Sequence, residues 1–327
     1  MEDFYLGLIR MVKSYKGDFM DFIKKIPAGN MMVPLLLAAL IHTFYPGGIG
    51  FGEFSQALFT NGSVKVLMAL NLMAAGSQID FSNIGEVIKR AGVISIARIS
   101  MGLILVFGIS KFFGRDGIFG LSLLALACGL LNHNNSVFIS LNINYGDRID
   151  QALAGFGSLI TGPMLAMLVL GMGGLANIPF LAILDSAMPV ILGVFIGHFI
   201  KGSREIFASS QKMIIPFLGF SMGAAIDLRN VYRAGFSGLI LAFIVIAIVG
   251  SFTVLADMKV NKRPGHAGWA LSTTGANAVA VPAMIAEIDP TWQAFVGLAT
   301  AQVAASVVVT IILTPLITDF WAKRFKS

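Results

Sequence analysis

Two stretches of this chain carry nearly the same residues at a fixed separation. Gly76-Ser-Gln-Ile-Asp80-Phe-Ser-Asn83-Ile returns as Gly223-Ala-Ala-Ile-Asp227-Leu-Arg-Asn230-Val, with Gly, Ile, Asp and Asn each displaced by 147 residues. An Ala-Gly pair follows each copy, Ala91-Gly92 and Ala234-Gly235, with four residues fewer before the second. Each copy closes an apolar segment, at matching places in two halves of about equal length. Duplicated helical bundles of this kind are the usual build of secondary transporters.

Composition names the solvent. With 56% apolar and only 12% charged residues, and a mean hydropathy of +0.83, most of the chain faces lipid. A soluble domain carries roughly 25% charged residues. The 36 glycines suit helices whose backbones approach closely. A single cysteine, Cys128, excludes a disulfide framework or a multi-cysteine metal site. The net charge of +6 is spread over loops and forms no nucleic-acid footprint. Residues 1–26 mix acidic, basic and apolar side chains, without the pattern of a cleavable signal peptide. They read as a cytoplasmic N-terminal segment, either an amphipathic surface helix or a solvated extension.

A spanning helix needs about 20 mostly apolar residues. On that measure the chain offers ten segments, near 30–45, 62–79, 91–113, 117–143, 151–175, 178–200, 209–226, 235–256, 265–286 and 293–317. With the N-terminus inside, the inner loops and ends carry seventeen Lys/Arg residues and the outer loops only four, Lys111, Arg115, Arg229 and Arg233. That asymmetry places both chain ends in the cytoplasm. Five spans per half is an odd number, so the second half enters the membrane upside down. The expected architecture is therefore all-α, with a first five-helix repeat over 27–176 and an inverted second repeat over 177–327.

Spans four and nine occupy matching places, and both are polar where a membrane helix should be most apolar. Span four contains Gly129-Leu-Leu-Asn132-His133-Asn134-Asn135-Ser136, and span nine contains Ser272-Thr273-Thr274-Gly275-Ala-Asn277 followed by Pro282. Such groups in hydrocarbon each need a hydrogen-bond partner, so they line a cavity or face protein. Gly129, Gly275 and Pro282 mark both helices as broken, and two broken helices crossing at midplane direct half-helix N-termini at an anionic substrate. The candidate substrate residues are Asn134, Asn135, Ser136, Thr273, Thr274 and Asn277, with Arg98 in span three as a charge counterpart. The ion-coupling candidates are His133, and Ser158 with Thr161 in span five; Thr300 and Gln302 flank the breaks from span ten. No nucleophile elbow, HExxH or Walker loop occurs, which argues against an enzyme and calls for no cofactor.

Further residues bear a resemblance. Ile23-Lys-Lys-Ile-Pro27-Ala-Gly-Asn-Met-Met-Val-Pro34, Ala39-Leu-Ile-His42-Thr43-Phe44-Tyr-Pro46-Gly47, Asn144-Tyr145-Gly146, Thr161-Gly162-Pro163-Met164, Ile226-Asp227-Leu228, Ala278-Val-Ala-Val-Pro282 and Ile285-Ala286-Glu287 resemble the bacterial 2-keto-3-deoxygluconate permease family, from about residue 22 onward. The resemblance implies an inner-membrane symporter importing that sugar acid or a similar one, usually with protons. It also implies a fold like that of the bile-acid/sodium symporters, with panel and core domains and crossed broken helices. Where the family pattern implies an acidic residue three before Asn134, this chain has Leu131, and where it implies Glu in span five, it has Ile160. The coupling ion therefore stays open between a proton, carried by His133, and sodium held by neutral Asn, Ser and Thr. A sodium-coupled carrier for another small organic anion is the alternative function.

Overall fold

The apolar segments become helices in the computed structural model, which describes residues 29–46, 49–79, 84–147, 149–150, 153, 163–224 and 227–325. No strand occurs among them; the one extended pairing is an isolated bridge between Ile118 and Leu121. In chain order the helices are α1 (Gly29–Phe44), α2 (Glu53–Phe59), α3 (Val64–Ser77), α4 (Ile84–Phe113), α5 (Leu123–Leu131), α6 (Asn135–Tyr145) and α7 (Pro163–Met172). The second half follows with α8 (Phe180–Phe199), α9 (Ser203–Gly223), α10 (Leu228–Phe243), α11 (Ser251–Lys259), α12 (His266–Ala270), α13 (Val281–Ile288) and α14 (Gln293–Arg324). A π-helical stretch, Ile244–Gly250, joins α10 to α11 without a break, so 235–259 is one continuous apolar rod. Several of these helices are long and apolar enough to cross a bilayer. Helix α2 sits between spans one and two, where the sequence pattern predicts a loop.

The helices sort into two groups. Helix α1 packs on α9, α3 packs on both α8 and α9, and these four form a panel. Helices α4 to α7 and α10 to α14 form the core, with α10 along α14 and α11 along α4. The repeated glycines explain how the panel closes. A Cβ on Gly76 would collide with the Val190 carbonyl in α8, and one on Gly223 with the Leu35 carbonyl in α1. Gly193 and Gly197 lie as close to Met73 and Ser77, and Gly219 to Met31. The motif glycine of each half thus seats the first helix of the other half against its own second helix, backbone on backbone. The motif aspartate acts locally. Asp227 caps α10, its Oδ1 accepting from the Arg229 amide at 2.9 Å. Asp80, its partner in the first copy, lies outside the described residues, as do residues 1–28.

Side-chain staples hold the core at both ends. At the end nearer the C-terminus, buried Asp150 accepts from Arg263 at 2.7 Å and Arg90 at 3.2 Å, with His266 Nε2 at 3.2 Å. Asp147 joins it, accepting from Arg90 at 2.8 Å. Three separate segments of the chain are tied there, around Arg90, Asp147–Asp150 and Arg263–His266. Burial alone would raise the Asp150 carboxyl, but hydrogen bonds from His266 and Arg263 outweigh it and hold it well below the usual carboxylate range. At the opposite end Asp289, which lies 142 residues after Asp147, accepts from the Asn177 amide at 2.7 Å and the Thr291 hydroxyl at 2.6 Å. Arg115 donates to Thr291 Oγ1 at 2.9 Å and lies 4.3 Å from the centroid of the buried Trp292 ring.

This packing can be tested at a glycine and at a carboxylate. Gly223→Leu forces apart two backbones and should cost about 1–3 kcal/mol, whereas Gly92→Ala, in open space on α4, should be neutral or stabilise by roughly 0.5–1 kcal/mol. Thermal melts of the detergent-purified protein check both, and equal melting points for the two variants would refute the close-approach account. For Asp150, the depressed folded pKa means its stabilisation is present above the unfolded value of about 3.9 and is lost as pH falls toward the folded one. Asp150→Asn should therefore melt below wild type at pH 7, with the gap narrowing below about pH 4; a gap that ignores pH would contradict the ion-pair assignment.

Candidate functional site

The site forms where two helices stop. Helix α5 opens with Ser122, whose Oγ accepts from the Ala125 amide at 3.2 Å, and ends at Leu131. Asn132 and Asn134 are extended, and Asn134 then caps α6, its Oδ1 accepting from the Val137 amide at 3.2 Å. Asn suits both jobs, because its side chain replaces a backbone acceptor as the chain changes direction. In the other half α12 ends at Ala270, an irregular stretch leads to a single 3-10 turn, Ala276–Val279, and α13 resumes at Val281.

The two interruptions meet. Gly275 donates its amide to the Asn132 carbonyl at 2.8 Å, and the Asn134 amide donates to Thr273 Oγ1 at 2.9 Å. A Cβ on Gly275 would stand 2.6 Å from the His133 carbonyl, so only glycine permits this approach. Gly129 behaves differently from the expectation. It stays inside α5, where its missing Cβ makes room for Leu241, and the break comes three residues later. Pro282 likewise does not interrupt a helix. It stands in the first turn of α13, where its missing N–H costs no hydrogen bond.

Helix α14 supplies partners for the unwound strand. Gln302, Ser306, Thr310, Thr314 and Thr318 recur every four residues on one face, all fully buried. Thr310 Oγ1 accepts from the Thr274 amide at 3.0 Å, Ser306 Oγ pairs with Thr274 Oγ1 at 2.7 Å, and Thr314 Oγ1 donates to the Ser272 carbonyl at 2.7 Å. Gln302 reaches the start of α5, accepting from the Ser122 hydroxyl at 2.9 Å. Apart from Gln302, sequence reasoning misses this row, although the four-residue spacing of hydroxyls in an apolar helix is its signal.

The expected site residues divide by what holds them. The hydroxyls of Thr273 and Thr274 are fully buried and engaged by the crossing itself. Asn135 and Asn277 stand half-buried where the second half-helices begin, 142 residues apart in sequence. Asn135 also hydrogen-bonds the ring of His133, which is buried edge-on to Phe138 with its Nε2 unpartnered. Ser136 falls in the first turn of α6. Arg98, buried midway along α4, donates to the carbonyls of Leu271 at 2.5 Å, Thr273 at 2.9 Å, Asn132 at 3.2 Å and Gly129 at 3.4 Å. Ser158 and Thr161 fall outside the described residues. Among those described, no cluster of His, Cys, Asp and Glu is arranged to hold a metal ion.

Apolar helices, two of them broken at a shared polar crossing, define a membrane transporter of the cation/proton antiporter-like fold. The sodium proton antiporter MjNhaP1 from Methanocaldococcus jannaschii aligns with a TM-score of 0.61 over 98% of this chain and 97% of that one; at 15% identity this concerns the fold alone. The family follows from sequence. The profile of 2-keto-3-deoxygluconate permeases matches residues 20–327, and the chain belongs to that family. It is 33% identical to 2-keto-3-deoxygluconate permease 1 of Salmonella typhimurium, over 92% of this chain and 95% of that protein. It is also 33% identical to the 2-keto-3-deoxygluconate permease of Escherichia coli strain K12, over 93% and 94%. These are transporters, and so is this protein, rather than an enzyme.

The close approach at the crossing is testable. Gly275→Ala meets backbone that cannot yield, whereas Gly129→Ala meets only the flexible end of Leu241. The first should lower the melting temperature clearly more than the second, with overpacking costs of about 1–3 kcal/mol as the scale; equal shifts would argue against a tight crossing.

Proposed function

We propose that this protein is an ion-coupled secondary transporter importing 2-keto-3-deoxygluconate or a closely similar sugar acid across the bacterial inner membrane. On this reading it has ten spans in two inverted five-helix repeats and both termini in the cytoplasm. The observation that carries the proposal is the contact between the two interruptions, Gly275 to Asn132 and Asn134 to Thr273, after which α6 begins directly and α13 begins beyond one 3-10 turn, with Asn135 and Asn277 half-buried at these starts. Helix N-termini present unpaired N–H groups and the positive end of the dipole, which suits a carboxylate. The sugar acid for which the family is named is such an anion. The inverted duplication is supported by the paired glycine contacts of Gly76 and Gly223 and by the capping aspartates Asp147 and Asp289 at opposite ends of the core.

Asn135, Asn277 and Ser136 are assigned to the substrate's carboxylate and hydroxyls. Asn134, Thr273 and Thr274 shape the site by holding the crossing. His133, with its free Nε2, is assigned to the coupling proton. The core would carry the site past the panel in alternating access.

Uptake of labelled 2-keto-3-deoxygluconate into membrane vesicles tests this. Asn135→Ala and Asn277→Ala should each lower uptake at least tenfold while the protein remains in the membrane, and wild-type uptake in both would remove the site. A proton uncoupler should abolish uptake and sodium withdrawal should not; the opposite pattern would make sodium the coupling ion and transfer the role to the Asn, Ser and Thr groups.

A further inference from the structure

Arg98 carries a full positive charge at 2% exposure, midway along the 30-residue helix α4. A buried guanidinium is ordinarily matched by a carboxylate. Among the described residues none lies in ion-pair range of it, and its four hydrogen bonds all run to main-chain carbonyls. Two of those carbonyls, Gly129 and Asn132, belong to the C-terminal end of α5 or the residue just after it. The other two, Leu271 and Thr273, stand just past the end of α12. These are the places where carbonyls lose their intrahelical donors and where the helix dipole is negative.

We infer that Arg98 is a positioning residue, which clamps the C-terminal ends of both first half-helices together without touching the substrate and leaves the site one unneutralised positive charge that selects anions. The inference rests on the anion-carrier reading above and deepens it. Geometry favours arginine in this place. A planar fork of five donors can address carbonyls on two chain segments at once, which a compact ammonium cannot. With the negative ends of α5 and α12 covered, the positive ends of α6 and α13 dominate the potential at Asn135 and Asn277. The charge therefore acts through the electrostatics of the site rather than by contact.

Two measurements on the full-length purified protein test it, using wild type, Arg98→Met and Arg98→Lys. The first is amide hydrogen exchange, which needs no ligand. Segments 132–135 and 273–277 should exchange at least tenfold faster in Arg98→Met and to an intermediate degree in Arg98→Lys, with α3 and α8 unchanged as the control for folding. Unchanged exchange at the crossing would overturn the clamp, as would equal acceleration throughout the chain. If Arg98→Met does not reach the membrane, Arg98→Gln takes its place under the same criteria. The second is binding of 2-keto-3-deoxygluconate against its uncharged methyl ester. Arg98→Met should lose at least tenfold of the preference for the acid while Arg98→Lys keeps it. An unaltered preference, or equal weakening of both ligands, would overturn the electrostatic role. If wild type binds neither compound, the assigned substrate fails, and the exchange result still decides the clamp.

Discussion

A helix that stops halfway through hydrocarbon leaves amides and carbonyls with no water to take them. Each such group left alone costs several kcal/mol, so a broken helix persists only where protein replaces the missing partners. In this protein the two breaks answer each other. The Gly275 amide meets the Asn132 carbonyl, the Asn134 amide meets the Thr273 hydroxyl, and carbonyls from both segments, Gly129 and Asn132 on one side and Leu271 and Thr273 on the other, accept from Arg98. Each break supplies partners to the other, and the second is held further by the hydroxyl row of α14. The rest of the core can be understood as the support that this mutual satisfaction requires.

Panel and core are held by different physics. Panel helices meet through glycines that bring backbones together, a dispersion-driven contact supplemented by a few side-chain bonds such as Gln211 to Asn71 at 3.2 Å and Ser63 to Ser221 at 2.7 Å. The core is tied by charged and hydroxyl side chains at both ends and through its middle, with Asp150 and Asp147 at one end and Asp289 with Arg115 at the other. On the proposed function this division is apt. A core fastened within itself moves as a unit, while the panel supplies a surface against which it can shift.

Much of this is visible in the sequence. The polar runs in spans four and nine announce two interrupted helices, because nothing else accounts for Asn132 to Ser136 inside an apolar stretch. The spread of resemblance along the chain announces the family. Roles within the site are harder to read. Gly129 has the look of a helix breaker and instead admits Leu241; Pro282 has it too and instead begins α13. Both are small or rigid residues whose effect depends on what stands opposite them, and a single strand of sequence does not say what that is. Thr273 and Thr274 look like substrate ligands by type, but their hydroxyls are held by Asn134 and Ser306. The short helix α2 escapes sequence reasoning because it is only seven residues long and carries no extended apolar period.

Composition and pattern by themselves determined the solvent, the helical class and the positions of the two breaks, since hydrophobicity and hydrogen-bond demand are properties of residues taken in order. The tertiary structure alone decided which groups satisfy the breaks. Arg98 is separated from Leu271 by 173 residues, and whether it meets a carboxylate, a ligand or a carbonyl is set by which helix faces it across the core. Local sequence states what each group needs; only packing determines which distant group supplies it.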